Sequence, residues 1–442
     1  MLPLLFSLAI AIPQTGRLVL PAGVVDLTAE LRIPAGAHDL VIVGHRNGTT
    51  LRLAPGFAGR AAIVCDGARN VRLASFRIEG RRETVKDRVG LPPSNVAFTD
   101  FYRRNGILAR GAEGLSIQGV SFHDIWGFAV LVNRSRRVRM DNIRVADSGG
   151  RNSLGRNNTT GGVLFEEGVE DFEVRRSTFD RVLGNGVWTH SNYGSPRNVR
   201  GLFVENTFHE IGRDALQVGH ATEVRVERNT GDRIGYPFDA IDVENGATPV
   251  AIDTSGNVDH SVYTSNQFSE LNGKCIDLDG FHDGQVTFNV CVNKGGPKSY
   301  PNGHFAIVVN NYNPDMRSEN IVIADNTVDG AKFGGVFLIG THHTVVRNKL
   351  LNLNSAHCNE NAATYGCSAI QGEPDVLQAG IYLGRIAAEW AQKRADASRG
   401  HIIRENLITG YKMDKRCVMA APGVALAESS IGQNVCQASS KE

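Results

Sequence analysis

Alternating apolar and variable positions recur along most of this chain in segments of five residues. In each segment the second and fourth residues are nearly always apolar, whereas the third and fifth vary. The segments span residues 186–190, 215–219, 240–244, 275–279, 306–310, 336–340 and 380–384. This alternation predicts β-strands with one face toward a core and the other face outward. A strand that repeats so often predicts a β-solenoid whose variable positions form columns on the outside.

Asparagine recurs once per unit of a second periodicity. The positions are Asn206, Asn229, Asn266, Asn289, Asn326, Asn348 and Asn406, with Asn142 a weaker member. Several of the intervals are about 22–23 residues, which is the length of one solenoid coil. Asparagine tolerates the left-handed backbone conformation, and its amide can bond to neighbouring backbone groups, so each is expected at a tight bend. Stacked on one another, these side chains would form an internal amide ladder.

These two periodicities resemble the right-handed parallel β-helix proteins of the pectate-lyase-like superfamily, with repeats of the PbH1 type, in which asparagine ladders are typical. The segments 18–23, 40–44 and 50–53 look like the first coils of that superfamily. The resemblance covers most of residues 17–436. It implies an all-β fold, a single-stranded right-handed parallel β-helix with loop insertions and a short helix. Because a solenoid grows coil by coil, 442 residues fit one such domain.

Four segments interrupt the repeat. Residues 81–104, 148–161 and 356–378 are expected to be loops, and the apolar spacing of 385–398 predicts a short helix lying on the solenoid. Long loops on a rigid scaffold commonly build functional clefts. Tolerated surface decoration is the alternative for each of them.

The N-terminus and the cysteines bear on the compartment. Residues 1–11 resemble the apolar part of a signal peptide without its usual basic start, and the alternative is a short apolar strand. Two cysteine pairs, Cys358 with Cys367 and Cys417 with Cys436, are spaced as disulfide staples, whereas Cys275 and Cys291 either pair or only pack. Cys65 is expected to be buried. We therefore expect a secreted or periplasmic protein, and no later stretch is apolar enough to span a bilayer.

The net charge of +1 gives no electrostatic case for nucleic acid or an anionic membrane as a partner. The expected partner is a polysaccharide or oligosaccharide bound by a monomer.

Carboxylates cluster in the variable columns. Asp242 and Asp277 share the third position of their segments, and Glu244 and Asp279 share the fifth. Neighbouring coils are about 4.8 Å apart, and same-face residues of a strand about 6.6–7 Å, so these four acids would form a two-by-two block on an exposed face. Such like charges repel one another unless a cation lies between them or one carboxyl keeps its proton. Plain solvation of an outer face is the alternative.

The same spacing suits carboxylate chemistry on sugars. Neighbours such as Asp242 and Asp277 would lie near the about 5 Å used by retaining glycosidases, and the diagonal from Asp242 to Asp279 near 8 Å, within the inverting range of about 6.5–9.5 Å. Side chains placed to bind substrate or exchange protons flank the block. They are Trp188 and Tyr382 for stacking on sugar rings, Gln217, Glu244 and Asn310 for hydrogen bonds, and His190 and His220 as acid–base partners.

Two enzyme families offer closer comparisons. The segment 239–243 looks like the Asn-Thr-Asp-Gly-Ile-Asp strand of polygalacturonase-like glycoside hydrolases, which would make Asp239 catalytic. The next coil departs from that family, because Gly273 and Lys274 replace its paired aspartates. Gly303-His304-Phe305 partly resembles the family's Gly-His-Gly, and no convincing Arg-Ile-Lys follows. These departures speak against ordinary polygalacturonase activity.

Pectate lyases of the superfamily bind Ca²⁺ through aspartates and use Arg or Lys as the base. Here Asp214 and Asp242, with Asp239 or Glu244, could hold Ca²⁺, and Lys274 could act as the base, although Asp277 occupies the column where some lyases carry their lysine. Three hypotheses stay open. The first is a glycoside hydrolase that needs no cofactor and draws its carboxylates from Asp239, Asp242, Asp277 and Asp279. The second is a Ca²⁺-dependent polysaccharide lyase or epimerase with Lys274 or a histidine as base. The third is a non-catalytic polysaccharide-binding protein.

Overall fold

The chain was analysed as a computed structural model that describes residues 10–86, 88, 90–241, 248–310, 316–358, 365–367, 372–385 and 398–439. Two compact units divide the chain. The first contains residues 1–212 and 239–242, and the second contains residues 213–238 and 243–442.

Strands β1–β20 build the first unit. They are β1 Gly16–Val19, β2 Gly23–Leu27, β3 Leu31–Ile33, β4 His38–Val43, β5 Thr49–Leu53, β6 Ala61–Asp66, β7 Arg69–Ala74, β8 Arg77–Glu79, β9 Asn105–Arg110, β10 Ser116–Gln118, β11 Ser121–His123, β12 Phe128–Asn133, β13 Arg136–Asp141, β14 Arg144–Ala146, β15 Gly161–Glu166, β16 Glu170–Arg175, β17 Thr178–Val182, β18 Val187–His190, β19 Asn198–Val204 and β20 Thr207–Ile211. Every third strand pairs in parallel, for example β9 with β12 and β12 with β15. Each coil therefore contributes one strand to each of three parallel stacks.

Strands β21–β42 build the second unit in the same way. They are β21 Leu216–Val218, β22 Ala221–Thr222, β23 Arg225–Glu227, β24 Thr230–Ile234, β25 Val250–Asp259, β26 Val262–Thr264, β27 Gln267–Leu271, β28 Lys274–His282, β29 Gln285–Thr287, β30 Val290–Val292, β31 Ile307–Asn310, β32 Val322–Ala324, β33 Thr327–Asp329, β34 Val336–Leu338, β35 Thr344–Val346, β36 Lys349–Leu353, β37 Ile381–Leu383, β38 Ile402–Arg404, β39 Leu407–Gly410, β40 Val418–Ala420, β41 Ser430–Gly432 and β42 Val435–Ala438. Strands β25, β28, β31 and β34 pair in parallel in succession and form one continuous stack.

Helices are short and rare. The α-helix α1 Phe98–Phe101 lies in the insertion at 81–104, and single-turn 3-10 helices span Arg82–Thr84, Phe238–Ala240 and Leu426–Glu428. The helix expected within 385–398 falls almost wholly outside the described residues. Within the described part of the chain, no helix has the length and apolar character needed to cross a membrane.

The interior of each coil is apolar and aromatic, because the inward positions of successive strands stack on one another. In the first unit the rings of Phe165 and Phe172 lie 4.6 Å apart, and those of Phe179 and Phe208 stack at 5.1 Å. This regular burial of one face of each strand confirms the parallel β-helix fold.

An asparagine ladder runs through the second unit. Each side-chain amide Nδ2 donates to the Oδ1 of the next asparagine at 2.8–3.0 Å, through Asn229, Asn266, Asn289, Asn326, Asn348, Asn406 and Asn434. The ladder is as expected, but the bend is made by the preceding residue. The left-handed residues are Arg228, Ser265, Phe288, Asp325, Arg347, Glu405 and Gln433, with φ of 50–60°. Asn142 is exposed and itself left-handed, and so does not belong to the ladder.

Three disulfides join Cys275 with Cys291, Cys358 with Cys367 and Cys417 with Cys436, and Cys65 is a buried free thiol. The two expected disulfides, Cys358–Cys367 and Cys417–Cys436, are confirmed. Cys275 and Cys291, for which packing without a bond was the alternative, also form a disulfide.

Two strand predictions were wrong in position. Of the strand expected at 240–244, Ala240 ends the 3-10 helix Phe238–Ala240, and residues 242–244 lie outside the described residues. The strand between β21 and β28 in the stack is β25, in which Ile252 pairs with Leu216 and with Ile276. In β34 the residue opposite Val308 is Phe337 rather than Leu338. Phe337 faces outward but is apolar, because it packs against a covering loop. The alternation of apolar and variable residues therefore did not show which positions of this strand face outward.

Candidate active site

One column of outward-facing side chains in the second unit is polar in its first coils and apolar in the following ones. Gln217, Asp253 and Asp277 follow one another in register on β21, β25 and β28. The next positions are Val308 and Phe337. Both apolar residues pack with the loop that is closed by the disulfide Cys358–Cys367. The polar stretch is therefore limited to three coils of this unit.

The corresponding column of the first unit is apolar. Val64, Leu108, Leu131, Leu164 and Trp188 follow one another in register, and Phe98 and Tyr102 of the 81–104 insertion pack on them. An outer face lined with these residues has to be covered, because it would otherwise expose a large apolar patch. The insertion serves that purpose here.

Lys274 and Asp277 form an ion pair within β28, with the ammonium Nζ bonded to Oδ2. The two side chains are only 11% and 9% exposed. Burial alone would lower the pKa of the Lys274 ammonium, but the neighbouring carboxylates, led by Asp277, raise it overall. Oδ1 of Asp277 is buried and has no hydrogen-bond partner among the described residues.

Asp253 lies between Gln217 and Asp277 in the column. The Gln217 amide Nε2 donates to its Oδ2 at 2.7 Å. Burial raises the pKa of this carboxyl well above its usual range, and the nearby carboxylates of Asp214 and Asp277 raise it further. The carboxyl of Asp253 is therefore more readily protonated than that of an ordinary aspartic acid.

Two further acids complete the cluster. Asp214 is buried, its Oδ1 accepts the backbone N–H of Val250 at 2.9 Å, and burial raises its pKa to about 6. Asp279 lies opposite Ser255 in the neighbouring strand, and burial together with the charge of Asp277 raises its pKa to about 7. The cluster thus combines four acids. Asp277 is ion-paired with Lys274, and the pKa values of Asp253, Asp214 and Asp279 are raised.

A cleft of about 490 Å³ lies in the same unit, and its walls include Lys298, His304, Lys332, Phe333 and Tyr365. His304 is half-buried. Burial and the charges of Lys274 and Lys332 lower its pKa to about 3, so its imidazole is neutral. Its Nδ1 has no hydrogen-bond partner among the described residues.

Several predicted site residues lie elsewhere. Asp239 is exposed on the 3-10 helix and belongs to the first unit, as do Trp188 and His190. Trp188 is 6% exposed beneath the ring of Phe98, 5.0 Å away, and Tyr382 is 1% exposed with its hydroxyl bonded to Glu373. The expectation that these two rings stack on sugar was wrong, because covering segments occupy their faces.

The other predicted residues are mixed in outcome. His220 is a left-handed residue after β21, and Asn310 pairs in register with Asp279, so both stay in the second unit. Asp242 and Glu244 lie outside the described residues. The block of four exposed acids is therefore corrected to Asp253, Asp277 and Asp279, which lie within a largely buried cluster.

Two of the predicted Ca²⁺ ligands, Asp242 and Glu244, lie outside the described residues, so the Ca²⁺ site stays a prediction. Asp214 uses Oδ1 to accept a backbone N–H, and its raised pKa makes it a poor ligand near and below about pH 6. Among the described residues, no group of three or more His, Cys, Asp or Glu side chains is arranged to hold a metal ion.

Sequence reasoning missed Asp253, although a signal for it exists. Residues 251–253 repeat the Ala-Ile-Asp of 240–242, and Ile252 precedes Ile276 by 276 − 252 = 24 residues, close to one coil. Counting back from the unambiguous β28 would have selected it.

No protein family and no curated relative matches the sequence. The fold is similar to that of PfbA, a surface adhesin of Streptococcus pneumoniae, at 12% identity over 76% of this chain and 83% of that chain, with a TM-score of 0.55. It is also similar to a mannuronic acid specific polysaccharide family 6 lyase from human gut microbiota, at 13% identity over 96% and 81%, with a TM-score of 0.53. A GH136 lacto-N-biosidase from Eubacterium ramulus gives 11% identity over 90% and 62%, with a TM-score of 0.49.

The likenesses to the adhesin and to the lyase agree with the parallel stacks. The chain has the parallel β-helix fold. At this level of identity the comparisons establish the fold alone, so the activity has to be argued from the cluster itself.

Proposed function

We propose that this protein is a carbohydrate-active enzyme, a glycoside hydrolase that uses Asp253 as its general acid. The observation that carries the proposal is the contrast within one column, where the buried carboxyl of Asp253, with its raised pKa, lies beside the ion pair of Lys274 and Asp277. An acid–base pair requires two carboxyl groups whose surroundings give them different pKa values, so that one is protonated while the other is ionised. The three disulfides are compatible with an oxidising, extracellular setting, where polysaccharides are found.

The partner carboxylate is assigned to Asp279. It lies one coil and two residues away from Asp253, which corresponds to a diagonal of about 8 Å and falls within the inverting range of about 6.5–9.5 Å. A pKa of about 7 suits a general base that must be ionised at working pH. Asp277 is less suitable, because Lys274 already neutralises its charge.

In the proposed reaction Asp253 protonates the oxygen of the leaving sugar as the glycosidic bond breaks. Asp279 takes a proton from the attacking water, which adds to the anomeric carbon. The two charges of the Lys274–Asp277 pair act on Asp253 in opposite directions, because Asp277 raises its pKa and Lys274 lowers it.

A lyase would need a deprotonated base to remove a proton next to a carboxylate. The raised pKa of Lys274 keeps it protonated, so it is a poor base. This is the reason for preferring hydrolysis to elimination.

The test is a screen of the purified protein against neutral and acidic polysaccharides, with and without EDTA. Two products are followed together, namely reducing ends and the ultraviolet absorbance of an unsaturated uronate. Reducing ends without absorbance, lost in Asp253→Asn and kept in the exposed control Asp414→Asn, would support the proposal. Absorbance would instead indicate elimination, and binding without any turnover would indicate a non-catalytic protein.

A further inference from the structure

Two histidines stack inside the second unit, at the positions just before β35 and β38. His343 and His401 are 0% and 1% exposed, and their rings lie 7° from parallel at a centroid distance of 5.0 Å. Thr344 pairs in register with Ile402, so the two rings occupy the same position in successive coils. The coil between them contains β35, β36 and β37 and carries the loop closed by Cys358–Cys367. We propose that this histidine pair is a pH-sensitive switch, which holds that coil in place at neutral pH and releases it in acid.

Each imidazole accepts a backbone hydrogen bond from the preceding coil through its Nδ1 atom. The N–H of Ile321 donates to His343 Nδ1 at 3.3 Å, and the N–H of His343 donates to His401 Nδ1 at 3.1 Å. The Nε2 atom of His343 donates to the backbone oxygen of Ile339 at 2.9 Å. Both rings are neutral in this arrangement, because a protonated Nδ1 is a donor and would face a second donor. Protonation of either ring therefore breaks a hydrogen bond between two coils.

Other coils fill the same position with side chains that do not titrate. The Oγ of Ser261 accepts the N–H of Val224 at 3.0 Å, and the Oγ of Ser429 accepts the N–H of His401 at 3.1 Å. Just before β19 in the first unit, Oδ1 of Asn198 accepts a backbone N–H at 2.9 Å. The fold thus needs an acceptor at this position and not a histidine. What the two histidines add is a response to protons.

The surroundings of the pair oppose its protonation. Burial lowers the pKa of His343 to about 4 and that of His401 to about 3, from 6.5. The exposed side chain of His342 lowers both pKa values further, and His343 also lowers that of His401. An unfolded histidine binds its proton more tightly than these do. The coil therefore has its full stability above about pH 6.5 and loses stability as the pH falls toward 4.

Release of this coil bears on the covering loop that it carries. The loop leaves the coil directly after β36, where the N–H of Asn354 donates to the backbone oxygen of Phe333 at 2.7 Å. Beyond this anchor, Ala356 and Cys358 pack with Val308. Because these contacts join the coil to its neighbours, a coil that loosens in acid also uncovers Val308.

The experiment is hydrogen exchange of the full chain at pH 7, 6 and 5, corrected for the pH dependence of intrinsic exchange. Linkage allows the opening equilibrium to rise by up to about tenfold per pH unit for each histidine. We expect peptides that contain β38 and residues 354–356 to lose protection by at least about tenfold between pH 6 and 5. A peptide that contains β29, several coils away, should change much less. The measurement needs no substrate, so it does not depend on the proposed activity.

Substitution separates the histidines from other effects of acid. The variant His343→Asn/His401→Asn keeps an acceptor at both positions and should lose the extra exchange at pH 5. The control His260→Asn, at an exposed histidine of the same unit, should behave like the wild type. The single variant His401→Ser serves if the double variant melts early at pH 7. The proposal is overturned if the substituted protein keeps the pH dependence of the wild type, or if β29 and β38 lose protection together.

Discussion

Lys274 and Asp277 lie three residues apart in one strand and form an ion pair that is almost wholly removed from water. Such a pair carries a desolvation cost that its own attraction only partly offsets. A structural role alone would be met as well by two apolar residues. The pair adjoins Asp253 in the polar stretch of the column, where Asp277 raises the pKa of Asp253 and Lys274 lowers it.

Removing one member of this pair should be more damaging than removing both. We expect Lys274→Met to lower the free energy of unfolding by about 3–5 kcal/mol, because Asp277 is left buried and unpaired. The double variant Lys274→Met/Asp277→Leu should recover most of that loss. Chemical denaturation of both variants and of the exposed control Lys415→Met measures the effect. Equal losses in the single and double variants would contradict a coupled pair.

Asp253→Asn should reduce kcat by about 10²–10⁴-fold, the usual contribution of a general acid, with little change in stability. Asparagine keeps the size of the side chain and can still accept the hydrogen bond from Gln217. Initial rates on whichever polysaccharide the screen selects measure this. The idea fails if Asp253→Asn retains wild-type kcat while Asp279→Asn or Asp277→Asn does not.

The pH dependence of kcat/KM should be bell-shaped. The base Asp279 must be ionised, so activity should rise with pH through about 7, where its raised pKa lies. Activity should fall again at higher pH as Asp253 loses its proton. Rates measured across this range should lose the rising limb in Asp279→Asn. A rising limb that is unchanged in that variant would assign the base elsewhere.

Asp214 should make stability depend on pH. Its pKa is about 6 in the folded protein against 3.8 when unperturbed, so the folded state holds the proton more tightly. The protonated carboxyl favours folding below about pH 4, and this contribution is lost as pH rises through about 6. Asp214→Asn should therefore raise the free energy of unfolding at pH 7 by about 1–3 kcal/mol. Denaturation at several pH values, with Asp414→Asn as the control, tests the sign.

The repeating parts of the fold were predictable from the sequence because they obey local rules. Asn289 and its equivalents occupy one position per coil, and β28 shows plain alternation, with Ile276 and Leu278 buried. The parts that failed depend on contacts distant in sequence. Trp188 was expected on an open face, but Phe98, which lies 188 − 98 = 90 residues earlier in an insertion, covers it.

The site was predictable only in part. Lys274, Asp277 and Asp279 lie on a strand that the alternation predicts, and their roles stay predictions. Asp253 was missed because the same Ala-Ile-Asp pattern occurs twice within one lengthened coil, and local alternation cannot decide which copy joins the stack. Protonation states were beyond the sequence, because they depend on how deeply each carboxyl is buried.

Some coils of the second unit are covered by an insertion and others are not, and this difference bears on how the length of a groove could change in evolution. Every coil of a solenoid has the same outward-facing positions. A groove along these positions therefore ends at the coils that an insertion covers. Beside Asp277 the limit is the loop closed by Cys358 and Cys367, which packs over Val308. Shortening that loop and making Val308 polar would extend the groove by one coil, about 4.8 Å. Substrate length could thus change in single-coil increments while the carboxylates stay where they are.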